Sequence, residues 1–488
     1  MTERPNVVLV MTDQQRYDFL ASSGFPLDTM PCLDALAERG VRFERAYTPM
    51  PVCTPARVSL LTGRHPQATR VRENWGAEQA YAPTDLVSTL RGCGYAAFLA
   101  GKNHSHLRPP DFDRCRQYMH LKGPADGRTS EQAAFEEWLR DTNHGVGLEP
   151  TPFPVECLFP HRIVNDAIGF VRESDTRRPF FLWLSFPEPH NPYQVPEPYF
   201  SMFPEDRIPP RRCGPDEGRR KGPHWRWMQT LFEEKRPGYD AQWRRYRADY
   251  CGMLRLIDDQ LRRFLSFLEE SGRLEDTLIV FLSDHGDYAG DYGLQRKGVG
   301  LPECLVRVPL IMAGPGVAPA CNRQDFVSLV DIMPTVCEAA GIDVPYGVQG
   351  RSLWPLATGR PYPRDEFRSV HASLGIGGLP YGEQERPPLH FPYEGAVLDE
   401  LNAVTQSGRS EMVRKGRWKL VFDSLGNGEL YDVQEDPAEL CNLYDVPRCR
   451  DVRRELGEEL LRWTIRTQDD LPTARYQVKA APHGWYDA

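Results

Sequence analysis

Residues 6–16 read NVVLVMTDQQR, and residues 277–287 read TLIVFLSDHGD. Each begins as a continuous apolar run and ends in an acidic turn. A strand that is apolar at every position is buried on both faces, the habit of a parallel sheet covered by helices. Working outward, Thr29 reads as an N-cap and Pro31 as a first-turn residue. Leu33, Leu36 and Ala37 follow at helical spacing, up to Gly40. Val41–Tyr47 reads as a strand. Thr84 caps a helix through Leu86, Leu90 and Arg91, closed by Gly92 and Gly94. Tyr95–Ala100 and Phe180–Phe186 are further strands. In 241–270, Trp243, Tyr246, Tyr250, Met253, Ile257, Leu261, Phe264 and Leu268 recur at three- and four-residue steps, which predicts a long amphipathic helix. Val308–Met312 and a helix near Ile332–Ala340 continue the alternation. The pattern predicts an α/β fold: a large, mostly parallel sheet sandwiched by helices. Ligands in such folds sit beyond the carboxyl ends of the strands.

The chain has 488 residues, 59 Lys plus Arg against 68 Asp plus Glu, and a formal charge of −9. With 40% hydrophobic residues it is neither disordered nor a small disulfide scaffold. The acidity argues against a nucleic-acid partner, which needs a basic face. No apolar run approaches the roughly 18 residues of a membrane span. The apolar run at the start is short, and Asp13 follows where a cleavage site would stand, so a cytoplasmic protein without a signal peptide is expected. The 12 cysteines are scattered without a CxxC pair and are expected to be reduced. The Pro- and Arg-rich stretch 203–240 reads as an exposed loop. After residue 365 the texture changes. Residues 376–410 read as loop; Met412–Arg414, Trp418–Phe422 and Glu429–Tyr431 read as short antiparallel strands; a helix follows at 450–467. The expected division is 1–375 for a catalytic domain and 376–488 for a smaller C-terminal α+β subdomain.

The densest chemistry lies in Val52-Cys53-Thr54-Pro55-Ala56-Arg57, followed by Ser59-Leu60-Leu61-Thr62-Gly63-Arg64. Cys53 stands just before an expected helix, where free N–H groups and the dipole favour an anion. Arg57, one turn on, would point a fixed charge back at that spot. Alone, the same segment also fits a buried cysteine beside a proline turn. Cys53, Pro55 and Arg57 fit C-x-P-x-R, the sequence in which formylglycine is made from cysteine. The segment resembles the sulfatase signature, and the resemblance extends through most of the chain. It implies an alkaline phosphatase-like fold, a sulfuric ester hydrolase, and a formylglycine-generating enzyme as maturation partner. The hydrated aldehyde is a geminal diol: one hydroxyl attacks sulfur, and the other lets sulfate leave as the aldehyde reforms.

Asp13 and Gln14 follow the first strand, and Asp284 and His285 follow TLIVFLS, so two pairs can converge on one ion. The resemblance assigns these four, with residue 53, to one divalent metal. Many sulfatases carry aspartate where Gln14 stands and often asparagine where His285 stands. Gln and His are similar to the pattern of phosphonate monoester hydrolases. Resemblance puts calcium first; an imidazole nitrogen suits manganese better. In Gly101-Lys102-Asn103-His104, the resemblance gives Lys102 to the sulfate and to residue 53, and makes His104 the base that releases sulfate. Phosphonate hydrolases lack this pair. Lys297 matches a second sulfate-binding lysine. His190, in Pro187-Glu188-Pro189-His190-Asn191-Pro192-Tyr193, is the implied general acid for the departing alkoxide. Asn74 would touch the ester, though an asparagine there also forms turns. His106 reads as a surface histidine. Lys415–Leu420 and Glu429–Leu443 also resemble sulfatases, largely as structure.

The sequence thus points to hydrolysis of a small-molecule or glycan sulfate monoester by S–O cleavage. Cys53, Arg57, Lys102, His104, His190 and Lys297 are the expected catalytic set, with Asn74 on the substrate and Asp13, Gln14 and Asp284 among the metal ligands. One alternative is a phosphonate monoester or phosphodiester hydrolase on the same scaffold, favoured by Gln14 and His285 and opposed by Lys102 and His104. Another is a catalytically silent binding protein, opposed by the intact residue set.

Overall fold

The structure is a computed structural model that describes residues 4–175, 177–386 and 408–468. Its large sheet contains β1 (Asn6–Thr12), β2 (Val41–Tyr47), β3 (Ala96–Gly101), β4 (Arg114–Gln117), β5 (Phe180–Ser185), β6 (Thr277–Ser283), β7 (Arg307–Val308), β8 (Leu310–Ala313) and β9 (Cys321–Ser328). The order is β4-β3-β5-β1-β6-β8-β2-β7, with β9 beside β2. β1 pairs in parallel with β5 and β6, and β3 with β4 and β5. β8 runs antiparallel to both β6 and β2. The sheet is therefore mixed but mostly parallel.

Alternation along β1 explains its unbroken hydrophobicity. Val8 and Val10 join a core made with the helices Pro31–Glu38, Phe159–Arg172 and Trp243–Glu270. Val7, Leu9 and Met11 join a second core on the opposite face, made with the helices Cys53–Thr62, Leu86–Gly92 and Ile332–Ala339. Each such side chain contributes about 1.5–3 kcal/mol on burial. Layers on both faces leave only the strand ends for chemistry.

A second, four-stranded antiparallel sheet has the order β10 (Ser369–Gly377), β11 (Gly408–Lys415), β12 (Trp418–Asp423), β13 (Gly428–Asp432). The helix Arg450–Thr467 covers it, packing Leu456, Leu460 and Trp463 on Val413, Leu420 and Leu430. The expected division at 375/376 falls inside β10. Val370, Ala372 and Leu374 of that strand meet Tyr47, Met50 and Val52, so the small sheet packs against the segment leading into Cys53.

Some local expectations change. Asp85, not Thr84, caps the helix Leu86–Gly92: its Oδ1 accepts from Ser88 N at 2.9 Å. Pro309 offers no N–H to a ladder and splits the strand expected at Val308–Met312 into β7 and β8. The stretch 203–240 holds two helices, Pro215–Arg220 and Pro223–Lys235. Each opens with proline after glycine, and the second buries Trp225, Trp227, Met228, Leu231 and Phe232. The loop expected over 376–410 lies partly outside the described residues. All 12 cysteines are free. Among the described residues no helix is long and apolar enough to cross a membrane.

β3 ends at Gly101, with φ of 120°, and a Cβ there would stand 1.8 Å from the Ser185 carbonyl oxygen. Gly101→Ala is expected to lose at least about 1–3 kcal/mol from backbone strain alone. The overlap would also push β3 from β5. Thermal melting should show a clear drop in midpoint; an unchanged midpoint would contradict the close approach.

Candidate active site

Strand register assembles the site. Thr12 lies opposite Ser283, so Asp13 and Asp284 leave their strands side by side. Gly101 lies opposite Ser185, which brings Lys102 to the same edge. Asp13 N donates to the Glu188 carbonyl at 3.1 Å, tying the loop that carries His190 to this edge as well. Gln14 N and His285 N both donate to Asp284 Oδ1, at 3.0 and 2.9 Å.

Cys53 is the first residue of its helix, not the residue before it. Its Sγ is 3.6 Å from Asp13 Oδ1 and 3.3 Å from His285 Nε2. The expected row of free helix N–H groups is not there. Pro55 has none, and Thr54 N donates to Asn74 Oδ1 at 3.1 Å. Asn74 therefore caps the helix that holds Cys53, a role its place after the helix does not reveal.

Arg57 also works differently from the sequence picture. It is fully buried, and its guanidinium is consumed by protein. Nε donates to Asp284 Oδ2 at 2.9 Å and Nη2 to Asp13 Oδ2 at 3.0 Å. Nη1 donates to the Lys102 carbonyl and to Ser185 Oγ, each at 2.9 Å. The planar fork thus clamps two carboxylates and fastens β3 and β5 to them.

Donor atoms of Asp13, Cys53, Asp284 and His285 all lie within 4.8 Å of one another. His285 Nδ1 is 2.8 Å from the Gly286 carbonyl, which places its proton there and leaves the Nε2 lone pair facing the cluster. Two carboxylates, an imidazole nitrogen and a sulfur, all buried, form a donor set that fits a divalent ion. Gln14 turns Oε1 to Lys297 Nζ at 3.0 Å and Nε2 to Asp287 Oδ2 at 2.6 Å. Lysine only donates and carboxylate only accepts, so the amide orientation is fixed.

Lys102 Nζ contacts Asp13 Oδ2 and lies 2.8 Å from His120 Nε2. Arg57, Lys102 and Lys297 bring three cations to a site lined by the carboxylates of Asp13, Asp284 and Asp287. Burial raises the Asp13 carboxyl, but Lys102 and Arg57 outweigh it and hold the group well below the usual carboxylate range. Burial and Asp13 push the Cys53 thiol up; Lys102, Lys297 and His285 pull it down further, to about 6.

His190 is buried, with Nδ1 2.9 Å from the Asn191 carbonyl, and its ring stacks on His120 at 3.7 Å between centroids. Burial, His120 and Lys297 lower its pKa. Burial, then Lys102 and Arg57, lower the His104 pKa and favour its neutral imidazole. His106 is not on the surface: its side chain is 12% exposed and Nε2 is 4.0 Å from Asp85 Oδ2. Two site residues escaped the sequence reading. Asp287, visible only as the end of DHGD, accepts from Gln14 and from Tyr193 Oη at 3.0 Å. His120 sits in no motif at all.

Residues 5–342 match the family model described as sulfatase. The chain belongs to the sulfatase family. As a member it is a sulfuric ester hydrolase. An arylsulfatase of Clostridium perfringens is 30% identical over 496 residues, covering 94% of each chain. A choline-sulfatase of Rhizobium meliloti is 30% identical over 461 residues, covering 92% of this sulfatase and 84% of its own length. A phosphonate monoester hydrolase of Agrobacterium radiobacter superposes with a TM-score of 0.76 at 25% identity, covering 95% of this chain and 96% of that one. The large mixed sheet with its separate small sheet is the alkaline phosphatase-like fold expected of this family.

Removing the clamp takes the guanidinium from two buried carboxylates, leaving Asp13 with Lys102 and Asp284 with the backbone N–H groups of Gln14 and His285. Arg57→Ala should lower stability by about 3–5 kcal/mol in urea unfolding. Arg57→Lys should recover only part, since an ammonium cannot span both carboxylates. A loss below about 1 kcal/mol for the alanine variant would contradict the clamp.

Proposed function

We propose that this sulfatase hydrolyses a sulfate monoester by S–O cleavage, with residue 53 as nucleophile after oxidation to formylglycine. The observation that carries the reading is Cys53 Sγ, in C-x-P-x-R at the head of a buried helix, 3.3 Å from His285 Nε2 and 3.6 Å from Asp13 Oδ1. Asp13, Asp284, His285 and residue 53 would hold the divalent ion, with Gln14 beside them; bound there, it supplies charge for the ester oxygens and acidity for the nucleophile. The formylglycine hydrate supplies two hydroxyls, one for attack and one for sulfate release.

The other tasks fall to the chain's own side chains. Lys102 and Lys297 bind sulfate oxygens and counter the charge that grows in the transition state. His190 keeps Nδ1 on the Asn191 carbonyl, so the proton it gives the leaving alkoxide sits on Nε2. Its pKa is low before substrate arrives; the incoming sulfate raises it and favours the charged ring. His104, kept neutral by burial and by Lys102 and Arg57, takes the proton that frees sulfate. Arg57 acts through Asp13 and Asp284, and Asn74 acts through the helix whose Thr54 N–H it accepts. The relatives named arylsulfatase and choline-sulfatase support the sulfate ester of a small alcohol as substrate.

Gln14 and His285 favour a second reading, a phosphonate monoester or phosphodiester hydrolase. The His285 nitrogen also favours manganese over calcium, since calcium prefers oxygen donors. Lys102 and His104 oppose that reading, and the intact residue set opposes a silent binding protein.

After coexpression with a formylglycine-generating enzyme, the peptide carrying residue 53 should show the aldehyde mass. Cys53→Ala should lose on the order of 10⁴-fold or more in kcat. The kcat/KM for 4-nitrophenyl sulfate should exceed that for phenyl phosphonate. A reversed ratio selects the second reading, and full turnover by Cys53→Ala defeats both. Chelation should abolish turnover, and re-addition of calcium or manganese should show which ion restores it.

A further inference from the structure

His120 stands in Gln117-Tyr118-Met119-His120-Leu121-Lys122, beyond β4, and is 6% exposed. Its Nε2 lies 2.8 Å from Lys102 Nζ. Its ring stacks on His190 with centroids 3.7 Å apart and planes inclined by 20°. One side chain thus touches the sulfate-binding lysine and the general acid, two groups with different tasks.

The first contact fixes a proton inventory. An ammonium has three N–H groups and no lone pair, so His120 Nε2 must accept. His120 is therefore neutral, with its proton on Nδ1. Burial and Lys102 lower its pKa in keeping with this. Lys102 gives one N–H to Asp13 and one to His120, and the third remains for an anion. Without His120, Asp13 alone among the described residues would hold the ammonium. The second contact fixes a plane. The Asn191 carbonyl holds one edge of the His190 ring, and His120 covers a face. The Nε2 edge is left to carry the proton.

We propose that His120 is a positioning residue for sulfate ester hydrolysis: its Nε2 aims the third Lys102 N–H at the sulfate, and its ring holds His190 in the plane from which the leaving alcohol is protonated. The proposal rests on the roles given above to Lys102 and His190. It separates into two halves because two substitutions each keep one contact. His120→Phe keeps a stacked ring and removes the acceptor. His120→Gln keeps an acceptor for Lys102 and removes the ring.

The test uses the mature, metal-loaded enzyme and both variants, each first checked for wild-type thermal melting. Two quantities are measured: calorimetric binding of inorganic sulfate, and kcat for aryl sulfates from 4-nitrophenyl sulfate to phenyl sulfate. His120→Phe should weaken sulfate binding about tenfold and leave the leaving-group dependence as in wild type. His120→Gln should bind sulfate within about twofold of wild type, but lose about tenfold or more additional kcat on phenyl sulfate, which needs the acid most. Variants that cannot be told apart, whether both match wild type or both lose both properties, overturn the proposal. If either variant fails to fold, imidazole ¹⁵N spectra of the wild type decide instead: His120 should be protonated at Nδ1 alone, and a proton on Nε2 overturns the assignment. A wild type that binds sulfate but turns over no sulfate ester would remove the mechanism proposed for residue 53 and His190, while the split in sulfate binding would still judge the Lys102 half.

Discussion

A guanidinium with no route to water holds together two carboxylates that would otherwise repel. Arg57 reaches Asp13 through one terminal nitrogen and Asp284 through Nε, and its other terminal nitrogen grips Lys102 and Ser185 at the ends of β3 and β5. Burying such charges is expensive, and only complete hydrogen bonding offsets the cost. The arrangement requires β1, β3, β5 and β6 to end at one level. The registers Thr12 with Ser283 and Gly101 with Ser185 provide this.

From that constraint the electrostatics follow. Each carboxylate turns one oxygen to Arg57. Asp13 keeps the other beside Cys53, and Asp284 spends its own on the backbone of Gln14 and His285. Lys102, in contact with Asp13, and Lys297, donating to Gln14 Oε1, add positive charge at this edge. That charge draws the Cys53 thiol down to about 6 although burial opposes it. Strand ends, clamp and field act as one device: the sheet fixes the positions, the clamp tolerates the charges, and the charges select the substrate's headgroup.

The central strands and the long helix were legible because their burial is repetitive. TLIVFLS is apolar at each position since both of its faces meet helices, and residues 277–283 are the strand. The stripe in 241–270 has one buried face and became Trp243–Glu270. The helix Pro223–Lys235 was hidden by its neighbours. Proline, glycine and arginine read as loop, while Trp225, Trp227, Leu231 and Phe232 were too few to override them. At the site, residues after strands could be found because strand ends collect ligands. What each side chain touches could not. Whether Arg57 faces an anion or two carboxylates, or whether Asn74 touches an ester or caps a helix, depends on tertiary distances. His120 is the extreme case: it follows a four-residue edge strand, and only the sheet order brings it to Lys102.

Catalysis at this edge depends on one convergence, that of residue 53 with the acidic ends of β1 and β6 around a cation. Diffraction from crystals grown with manganese, recorded across the metal's absorption edge, tests it most directly. The expected result is one strong anomalous peak enclosed by Asp13, Asp284, His285 and residue 53. A peak elsewhere, or density at residue 53 turned away from Asp13, would contradict it.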